Sequence, residues 1–328
     1  MRLLKDNDFK TFEQLCGCTQ GSLKATMSKY LRNKYTNIVE TKDYIYACGD
    51  IPIALVAHLD TVFKQPAREV YYDRQKNVIF SPYGLGADDR AGVFAIIQIL
   101  KTGLRPHIIF TTDEEIGAQG AMQLGMINCP FKDLRYIIQL DRRGANDCVF
   151  YDCYNEDFIA YVENFGFVEA IGSFSDISMI CPSWGIAGVN LSVGYRDEHS
   201  VSEVLFVGHL LSTIDKVIAM LSEKEIPTFN YVARNDYRNS WYRYLYSTET
   251  GIDDKHCRFC GKEFLPEELI NFKSSLGITE YCCIDCISDK VDFCNCCGEA
   301  FEKYTLPNGK TNNLCLCEDC YYDEYYNY

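Results

Sequence analysis

Short apolar runs alternate with longer segments of helical periodicity through the first two thirds of this chain. The runs are five to eight residues long and rich in β-branched side chains, which is typical of strands buried on both faces of a sheet. They comprise residues 51–57, 105–112, 136–140 and 186–193. Residues 88–97, 117–126 and 201–221 have helical patterns. This alternation predicts an α/β fold with a mixed, mostly parallel sheet and helices on both faces.

Local turn signals add finer expectations. Residues 11–34 have the pattern of an opening helix with polar breaks. Gly49-Asp50 separates the β-rich segments 36–48 and 51–57, and such a pair between two β-rich segments predicts a hairpin. A second hairpin is expected around residues 73–77.

Composition divides the chain of 328 residues into three parts. Residues 1–222 carry the α/β pattern and are long enough for one large domain. Residues 223–252 are polar and aromatic without a clear period, which indicates either a linker that packs on the first domain or a partner-binding segment. Residues 253–328 are rich in cysteine and are expected to form a second, smaller domain.

Charge and composition disfavour several classes of protein. The formal net charge of −14 disfavours nonspecific binding to nucleic acid or to anionic membranes. No apolar run reaches the length of a membrane span, and the charged Lys5-Asp6 pair follows too early for a signal peptide. Of the 18 cysteines, 11 lie after residue 256, largely in Cys-x-x-Cys pairs, which indicates structural zinc rather than disulfides. We therefore expect a cytoplasmic protein in a reducing compartment.

The cysteine-rich part contains an internal repeat. Each unit has a Cys-x-x-Cys-Gly-x-x-Phe segment followed by Cys-x-Asp-Cys, and two such pairs complete a tetrahedral four-thiolate zinc site. The repeat favours two sequential sites over a cross-braced arrangement. Alternative ligands are His256, Cys282, Cys296 and Cys315. The two predicted sites consist of Cys257, Cys260, Cys283 and Cys286, and of Cys294, Cys297, Cys317 and Cys320.

The charge of this zinc-finger tail bears on its partners. Residues 252–328 carry 7 Lys or Arg against 15 Asp or Glu, and four thiolates around each Zn²⁺ add further negative charge. Phosphate binding is therefore disfavoured, and nucleic acid is not the expected partner. We expect the tail to bind a protein partner, to gate substrate or to pack on its own chain.

Acidic and histidine positions follow the predicted strands or lie in the loops between elements. They are His58, Asp88, the Glu114-Glu115 pair, Asp141 and His199. In a doubly wound sheet such side chains can converge beyond the carboxyl ends of the strands. Two neighbouring zinc ions need one bridging carboxylate, plus a histidine and a carboxylate for each ion. A further carboxylate has to carry the proton to the leaving amine, and adjacent glutamates can divide these tasks.

The ordered motifs HLDTV, GLGADDRAG, TTDEEIG, LD and DEHS-x-SEV resemble those of the co-catalytic zinc exopeptidase superfamily, over roughly residues 20–222. That group includes zinc aminopeptidases, glutamyl aminopeptidase-like enzymes, tripeptidase-like enzymes and acyl-amino-acid deacylases. The resemblance implies an intracellular metallopeptidase that acts on a peptide or an aminoacyl compound. It also implies two catalytic zinc ions, for which cobalt or manganese can substitute, in addition to the two structural zinc ions of the tail.

The same resemblance assigns the metal ligands. Asp88 is expected to bridge the two ions. His58 and Asp141 are expected to bind the first ion, and Glu115 and His199 the second.

Three further acidic residues receive supporting or catalytic roles from the resemblance. Glu114 is expected to act as the general base and acid. Asp60 is expected to hydrogen-bond the His58 ring and fix its tautomer. Asp176, in Ser-Phe-Ser-Asp before the last strand, is expected to support the site from outside the ligand set.

The spacing of the motifs leaves little room for insertions. His58 and Asp88 are 30 positions apart, too few for the inserted domain of the glutamyl branch. Asp141 and His199 are 58 positions apart, and predicted core elements occupy that interval, so the lid and dimerisation domain of the deacylase branch do not fit. We expect a compact catalytic domain without a lid.

These observations lead to one main hypothesis and two alternatives. The main hypothesis is an aminopeptidase with Glu114 as general base. An N-acyl-amino-acid deacylase or a carboxypeptidase would need a cation for the substrate carboxylate, for which Arg142, Arg143 and Arg196 are candidates. The third hypothesis is a zinc-finger adaptor whose hydrolase domain does not catalyse.

Overall fold

The computed structural model describes residues 2–172, 174–233, 255–260, 262–264, 269–274, 279–283, 286–287, 290–293 and 300–303. The chain separates into two compact units, Met1–Asn235 and Asp236–Tyr328, and each is described by itself. The division into 1–222, 223–252 and 253–328 stays a prediction. The second predicted zinc site lies outside the described residues, as do Cys296, Cys315 and the side chain of His256.

Helices and strands alternate along the first unit. The helices are α1 (Asp6–Cys16), α2 (Gln20–Arg32), α3 (Ala87–Lys101), α4 (Gln119–Gly125), α5 (Glu156–Glu163), α6 (Asp176–Trp184) and α7 (Val207–Leu221). The strands are β1 (Ile38–Glu40), β2 (Tyr44–Ala47), β3 (Ile51–His58), β4 (Tyr71–Asp73), β5 (Val78–Phe80), β6 (Pro106–Thr111), β7 (Tyr136–Arg142), β8 (Asp147–Val149), β9 (Val168–Glu169), β10 (Gly188–Ser192), β11 (Tyr195–Arg196) and β12 (Val204–Phe206). No helix within the described ranges is both long and apolar enough to cross a membrane.

The large sheet has the strand order β1-β2-β6-β3-β7-β10-β8-β9. Its centre is parallel, because β6, β3, β7 and β10 run in the same direction. The pairs β1–β2, β2–β6 and β10–β8 are antiparallel. The fold class expected from the sequence, a mixed and mostly parallel α/β sheet, is confirmed.

Side chains of the central strands alternate between two apolar clusters, one on each face of the sheet. In β3, Leu55 packs in the larger cluster, to which α1, α2, α3 and α7 contribute. Its neighbour Val56 packs in the other cluster, to which α4 and α6 contribute. Since helices cover both faces, polar side chains gather at the carboxyl ends of the strands.

A small antiparallel sheet, in the order β11-β12-β5-β4, carries one of the candidate ligands. Strands β11 and β12 form a hairpin, and His199 lies in its loop. Strands β4 and β5 pair across residues 74–77, which confirms the second hairpin expected from the sequence.

The hairpin predicted at Gly49-Asp50 is wrong. Strand β6 lies between β2 and β3, antiparallel to β2 and parallel to β3. Gly49 lies so close to the start of β6 that a Cβ there would be 2.0 Å from the carbonyl oxygen of Arg105. The glycine therefore allows the link to cross the backbone of β6 rather than to form a tight turn.

Two helices begin or end where the sequence did not predict it. Residues 11–34 belong to two helices, because α1 ends before Gly17 and the side chain of Thr19 caps α2 by accepting from the Ser22 N–H. The last helix begins at Val207 rather than near 201, because residues 204–206 pair with β5 and residues 204–205 also with β11.

Part of the predicted linker packs on the first unit. Phe229 is buried in the larger cluster, and Ile226 and Tyr231 pack against it. The Phe229 N–H donates to the carbonyl oxygen of Arg135, and the Tyr231 N–H donates to that of Gly185. Residues 226–231 therefore pack on the first unit, whereas residues 234–252 lie outside the described residues, so the choice between a linker and a partner-binding segment stays open.

The second unit is built from short strands around a small core. Its described strands are β13 (Lys255–His256), β14 (Glu263–Phe264), β15 (Leu269–Lys273), β16 (Thr279–Cys283), β17 (Val291–Phe293) and β18 (Ala300–Glu302). Strands β13 and β14 pair with each other, and the others form a sheet in the order β16-β15-β18-β17.

Aromatic and cysteine side chains share the core of the second unit. Phe272 is buried there and stacks on Phe259 with 5.2 Å between the ring centroids. Cys257, Cys282 and Cys283 are buried in the same cluster. The part of this core that the structure describes is small and places several thiols next to one another.

The close approach of α3 to β7 generates a prediction about stability. A Cβ on Gly92 would lie 2.0 Å from the carbonyl oxygen of Leu140, and that backbone cannot retreat because β7 is central in the sheet. Gly92→Ala should lower the free energy of unfolding by about 2 kcal/mol or more, measured by urea or thermal denaturation.

Gly21→Ala is the matched control. Gly21 also lies in a helix, but beyond its own helix backbone and chain neighbours no atom would lie within 4 Å of a Cβ there. The substitution should raise stability by about 0.5 kcal/mol. Equal effects of the two substitutions would contradict the close packing of α3 on β7.

Candidate metal centres

Strand β3 ends by presenting His58 at the carboxyl end of the sheet. Its Nδ1 lies 3.2 Å from Asp60 Oδ1, and its Nε2 lies 3.0 Å from Asp88 Oδ1 and 3.6 Å from Asp141 Oδ1. With Nδ1–H donating to Asp60, the Nε2 lone pair faces two carboxylates. In the absence of a cation, a proton on Nε2 relieves the repulsion between this lone pair and the carboxylates. Burial opposes that proton, but Asp141, Asp60 and Asp88 together raise the pKa of His58 well above its usual value.

Asp60 connects His58 to the glutamate pair. Its Oδ1 accepts the Glu114 N–H at 3.1 Å, and its Oδ2 accepts the Glu115 N–H at 3.0 Å. Burial alone would raise the pKa of Asp60, but the His58 ring and these two N–H groups hold it below its usual value. The charged carboxylate thus orients the His58 ring and the start of the loop after β6.

Asp88 lies at the start of α3, where its backbone angles are not helical, and its two oxygens face different histidines. Oδ1 faces His58, and Oδ2 lies 3.3 Å from His199 Nε2. Asp88 forms one group with His58 and Asp141 and a second with Glu115 and His199, and the ligand atoms of each group lie within 4.8 Å of one another. A carboxylate shared in this way is what two neighbouring metal ions need.

Glu115 and His199 complete the second group. Glu115 Oε2 lies 3.0 Å from His199 Nε2. Glu115 Oε1 is buried and has no hydrogen-bond partner among the described residues. The His199 side chain is 53% exposed, and its hydrogen bonds to Asp88 and Glu115 raise its pKa to about 10. A buried carboxylate oxygen without a donor is costly, and a bound cation would satisfy it.

Asp141 is held at the end of β7 by three donors. Gln139 Nε2 donates to Oδ2 at 2.9 Å, Ser175 Oγ donates to Oδ2 at 3.2 Å, and the Tyr195 hydroxyl donates to Oδ1 at 3.1 Å. Burial and the neighbouring Asp88 raise the pKa of Asp141 to about 6.

Buried acids outnumber buried cations around these groups. Asp60, Asp89, Asp176 and Glu203 are buried in addition to the ligand carboxylates. Their excess negative charge is costly to bury without cations. Carboxylate oxygens and imidazole nitrogens also suit Zn²⁺, Co²⁺ or Mn²⁺. The residues present therefore fit two metal ions.

Glu114 lies beside both groups without joining either. Among the described residues its carboxylate has no hydrogen-bond partner, whereas its N–H is bound by Asp60. Burial raises the pKa of Glu114 to about 9, the His58 ring opposes the rise, and Asp141, Asp176 and Asp88 add to it. Asp176, the supporting residue expected from the sequence, accepts a hydrogen bond from Thr111 Oγ1 at 2.5 Å, and its Oδ1 has no partner in the described part of the chain.

Several supporting residues were not predicted from the sequence. Asp89 accepts the His58 and Gly92 N–H groups, and Glu203 accepts those of Gly86 and Asp88. Both acids lie inside the motifs GLGADDRAG and DEHS-x-SEV, and that place is a signal. Gln139 lies two positions before Asp141 on the same strand, a spacing that puts both side chains on one face. Nothing in the local sequence points to Tyr195.

Arg90 connects the N-terminal helices to the end of β3. Its Nη1 donates to the carbonyl oxygens of Leu59 and Asp60 at 2.9 and 3.1 Å. Its Nε donates to that of Leu15, and its Nη2 to that of Cys18. The buried guanidinium therefore fixes the loop after β3 against the link between α1 and α2.

A cavity of about 460 Å³ opens beside Asp60 and Glu115. The link between α1 and α2, the loop after β3 and the loop after β6 form its walls. Apolar Val62 and Ile116 face it together with Lys64 and Asp113. Its size is within the usual range for small-ligand sites.

The second unit brings together the first four predicted cysteine ligands. The Sγ atoms of Cys257, Cys260, Cys283 and Cys286 lie within 4.8 Å of one another, and Cys282 is not part of the group. Burial alone would raise the pKa of Cys257, but backbone N–H groups, those of Cys283 and Cys260 foremost, lower it to about 6. A thiolate is the form that binds metal, so the cluster fits a soft divalent cation such as Zn²⁺.

The shared position of Asp88 generates a prediction about metal binding. Asp88→Asn should weaken Mn²⁺ binding at both groups by more than tenfold. Loss of a metal ligand lowers the metal affinity more than loss of a residue that only hydrogen-bonds a ligand. Calorimetric titration with Mn²⁺ measures this without the cysteine cluster, since thiolates bind Mn²⁺ weakly. Asp113→Asn is the control, since Asp113 pairs with Gln20 and belongs to neither group. Native affinities in Asp88→Asn would contradict the shared ligand.

Comparison with known proteins is informative about the fold. No protein-family model matches the sequence, and a search of curated proteins finds no match. A tripeptidase from Staphylococcus aureus is similar in structure, with 15% identity, a TM-score of 0.53 and coverage of 66% of this chain and 97% of that one. An aminopeptidase from Desulfurococcus kamchatkensis has 14% identity and a TM-score of 0.52, with coverage of 67% of this chain and 96% of that one. A TET aminopeptidase from a marine sediment Thaumarchaeota archaeon has 13% identity and a TM-score of 0.53, with coverage of 68% of this chain and 98% of that one. Over about two thirds of its length the chain therefore has the fold of these peptidases.

Proposed function

We propose that this chain is a two-metal hydrolase of peptide or amide bonds that acts as an aminopeptidase. The observation that carries the proposal is the position of Asp88, whose two carboxylate oxygens face His58 and His199. The peptidases that share the fold support the same class of reaction.

The residues around the groups have separate tasks in this reaction. When bound, the metal ions would polarise the substrate carbonyl and lower the pKa of a water molecule. Glu114, which has no hydrogen-bond partner among the described residues, takes the proton of that water and delivers it to the leaving amine. Burial and the neighbouring carboxylates raise the pKa of Glu114, which helps it to hold the proton between the two steps, and the positive charge of two bound cations would lower that pKa enough for the carboxylate to accept the proton first.

The charge of the site favours a particular end of the substrate. Buried carboxylates surround both groups, so a protonated amino terminus is attracted and a carboxylate is repelled. The cavity beside Asp60 and Glu115 provides room for an adjoining residue of a peptide.

The deacylase or carboxypeptidase alternative has less support. Arg143 pairs with Glu198 at 3.0 Å, Arg142 donates to the carbonyl oxygen of Ile171, and Arg196 stacks on the ring of Phe206. Each candidate cation thus has a contact of its own. The adaptor alternative is likewise weakened, because both metal groups and Glu114 are assembled.

The second unit has a structural role in this proposal. One zinc ion at Cys257, Cys260, Cys283 and Cys286 would stabilise a core that is small for independent folding. We propose a second zinc ion at Cys294, Cys297, Cys317 and Cys320 by the sequence repeat. A protein partner for this tail and a cytoplasmic location complete the proposal.

The substrate test compares free with blocked amino termini. The metal-loaded protein should hydrolyse aminoacyl amides and short peptides at least tenfold faster than their N-acetylated forms. The reverse preference would support the deacylase hypothesis, and no hydrolysis of either set of substrates would contradict the proposed enzymatic activity.

Glu114→Gln should lower kcat by about 10²–10⁴-fold, because it removes the proposed general base, and leave Mn²⁺ affinity unchanged. Glu156→Gln, on the exposed first turn of α5, should keep native turnover.

The cysteine cluster has its own spectroscopic test. Co²⁺ added to the zinc-free protein should give thiolate charge-transfer absorption, and Cys260→Ala should reduce it and lower the zinc content by one ion per chain. Cys282→Ala removes a neighbouring thiol outside the group and should change neither reading. An identical loss in both variants would contradict the assigned ligand set.

A further inference from the structure

Glu203 is buried at the base of the β11–β12 hairpin, with 1% of its surface exposed. Its Oε2 accepts the Gly86 N–H at 2.6 Å, and its Oε1 accepts the Asp88 N–H at 3.0 Å. Among the described residues it forms no ion pair. The buried carboxyl group therefore accepts hydrogen bonds from the backbone of the turn that presents Asp88.

Glu203 also closes the loop that carries His199. Its N–H donates to the carbonyl oxygen of Ser200 at 3.2 Å, and Ser200 Oγ donates to that of Asp197 at 2.7 Å. His199 has a φ of +62°. Within the described residues the ion pairs of its ring are those with the carboxylates of Asp88 and Glu115. The position of the His199 ring therefore depends on how this loop is anchored.

His58, Glu115 and Asp141 have hydrogen-bond partners outside this hairpin. Asp60 orients His58 and binds the Glu115 N–H, and Gln139 and Ser175 donate to Asp141, to which Tyr195 of β11 also donates. Loss of the Glu203 contacts would disturb Asp88, which belongs to both groups, and also the loop of His199, so the group that contains His199 would be affected most strongly.

We propose that Glu203 is a positioning residue that fixes the His199 loop against the Asp88 turn. It thereby sets the metal affinity of the Asp88–Glu115–His199 group more than that of the His58–Asp88–Asp141 group. The inference rests on the proposed function, because it requires both groups to bind metal.

The test is calorimetric titration of the full chain with Mn²⁺. Glu203→Gln keeps the size of the side chain but places an amide donor against a backbone N–H. It should weaken one of the two Mn²⁺ affinities by about 10–100-fold and change the other by about threefold or less. His199→Ala identifies the weakened position, because it should lose the same one.

Glu198→Gln is the matched control. It removes the same charge from the same loop, but Glu198 pairs with the exposed Arg143 and not with the Asp88 turn. Both of its Mn²⁺ affinities should equal those of the native protein.

The inference is overturned if Glu203→Gln changes neither affinity, weakens both equally, or has no more effect than Glu198→Gln. Those results leave the two-metal proposal intact. If the native chain binds no Mn²⁺ at these groups, the two-metal proposal and the positioning role of Glu203 are both overturned. If Glu203→Gln does not fold, Glu203→Asp should weaken the same position. Native affinities in that variant, or its failure to fold as well, would overturn the positioning role.

Discussion

The negative charge buried around Asp88 is the constraint on which the rest of the first unit depends. Most of the buried carboxyl groups around Asp88 accept hydrogen bonds from their own set of donors. Asp60, Asp89 and Glu203 each accept two backbone N–H groups, and such acids support the structure around them. Glu115 Oε1 is buried and has no hydrogen-bond partner among the described residues. The side-chain oxygens of Asp88 face the rings of His58 and His199 and the neighbouring carboxyl group of Asp141. The distribution of donors thus separates supporting acids from candidate ligands.

The architecture explains why these acids meet. Strands β6, β3 and β7 are parallel neighbours, so the residues that follow or end them arrive at the same edge of the sheet. Helix α3 comes close enough to β7 to bring Asp88 there, because Gly92 has no side chain. His199 comes from the small sheet instead. The two candidate metal positions therefore share one ligand but depend on different parts of the fold.

Much of this arrangement could be predicted from the sequence, because the signals are local. Apolar runs identify the buried strands, and polar residues at their ends identify His58 and Asp141. The position of β6 between β2 and β3 could not be predicted, since it depends on the fit of Gly49 against a distant backbone. The same holds for Tyr195, which reaches Asp141 only through tertiary structure. The second four cysteines lie outside the described residues, so their pairing stays a prediction.

The exposure of His199 has a kinetic consequence. Its side chain is 53% exposed, whereas that of His58 is 1% exposed. Water or a chelator would reach an ion bound at the His199 position once the His199 ring moved away. An ion bound at the His58 position would be held by the buried residues at the strand ends. The two positions should therefore differ in residence time, and the His199 position should exchange its ion first when the supply of metal falls.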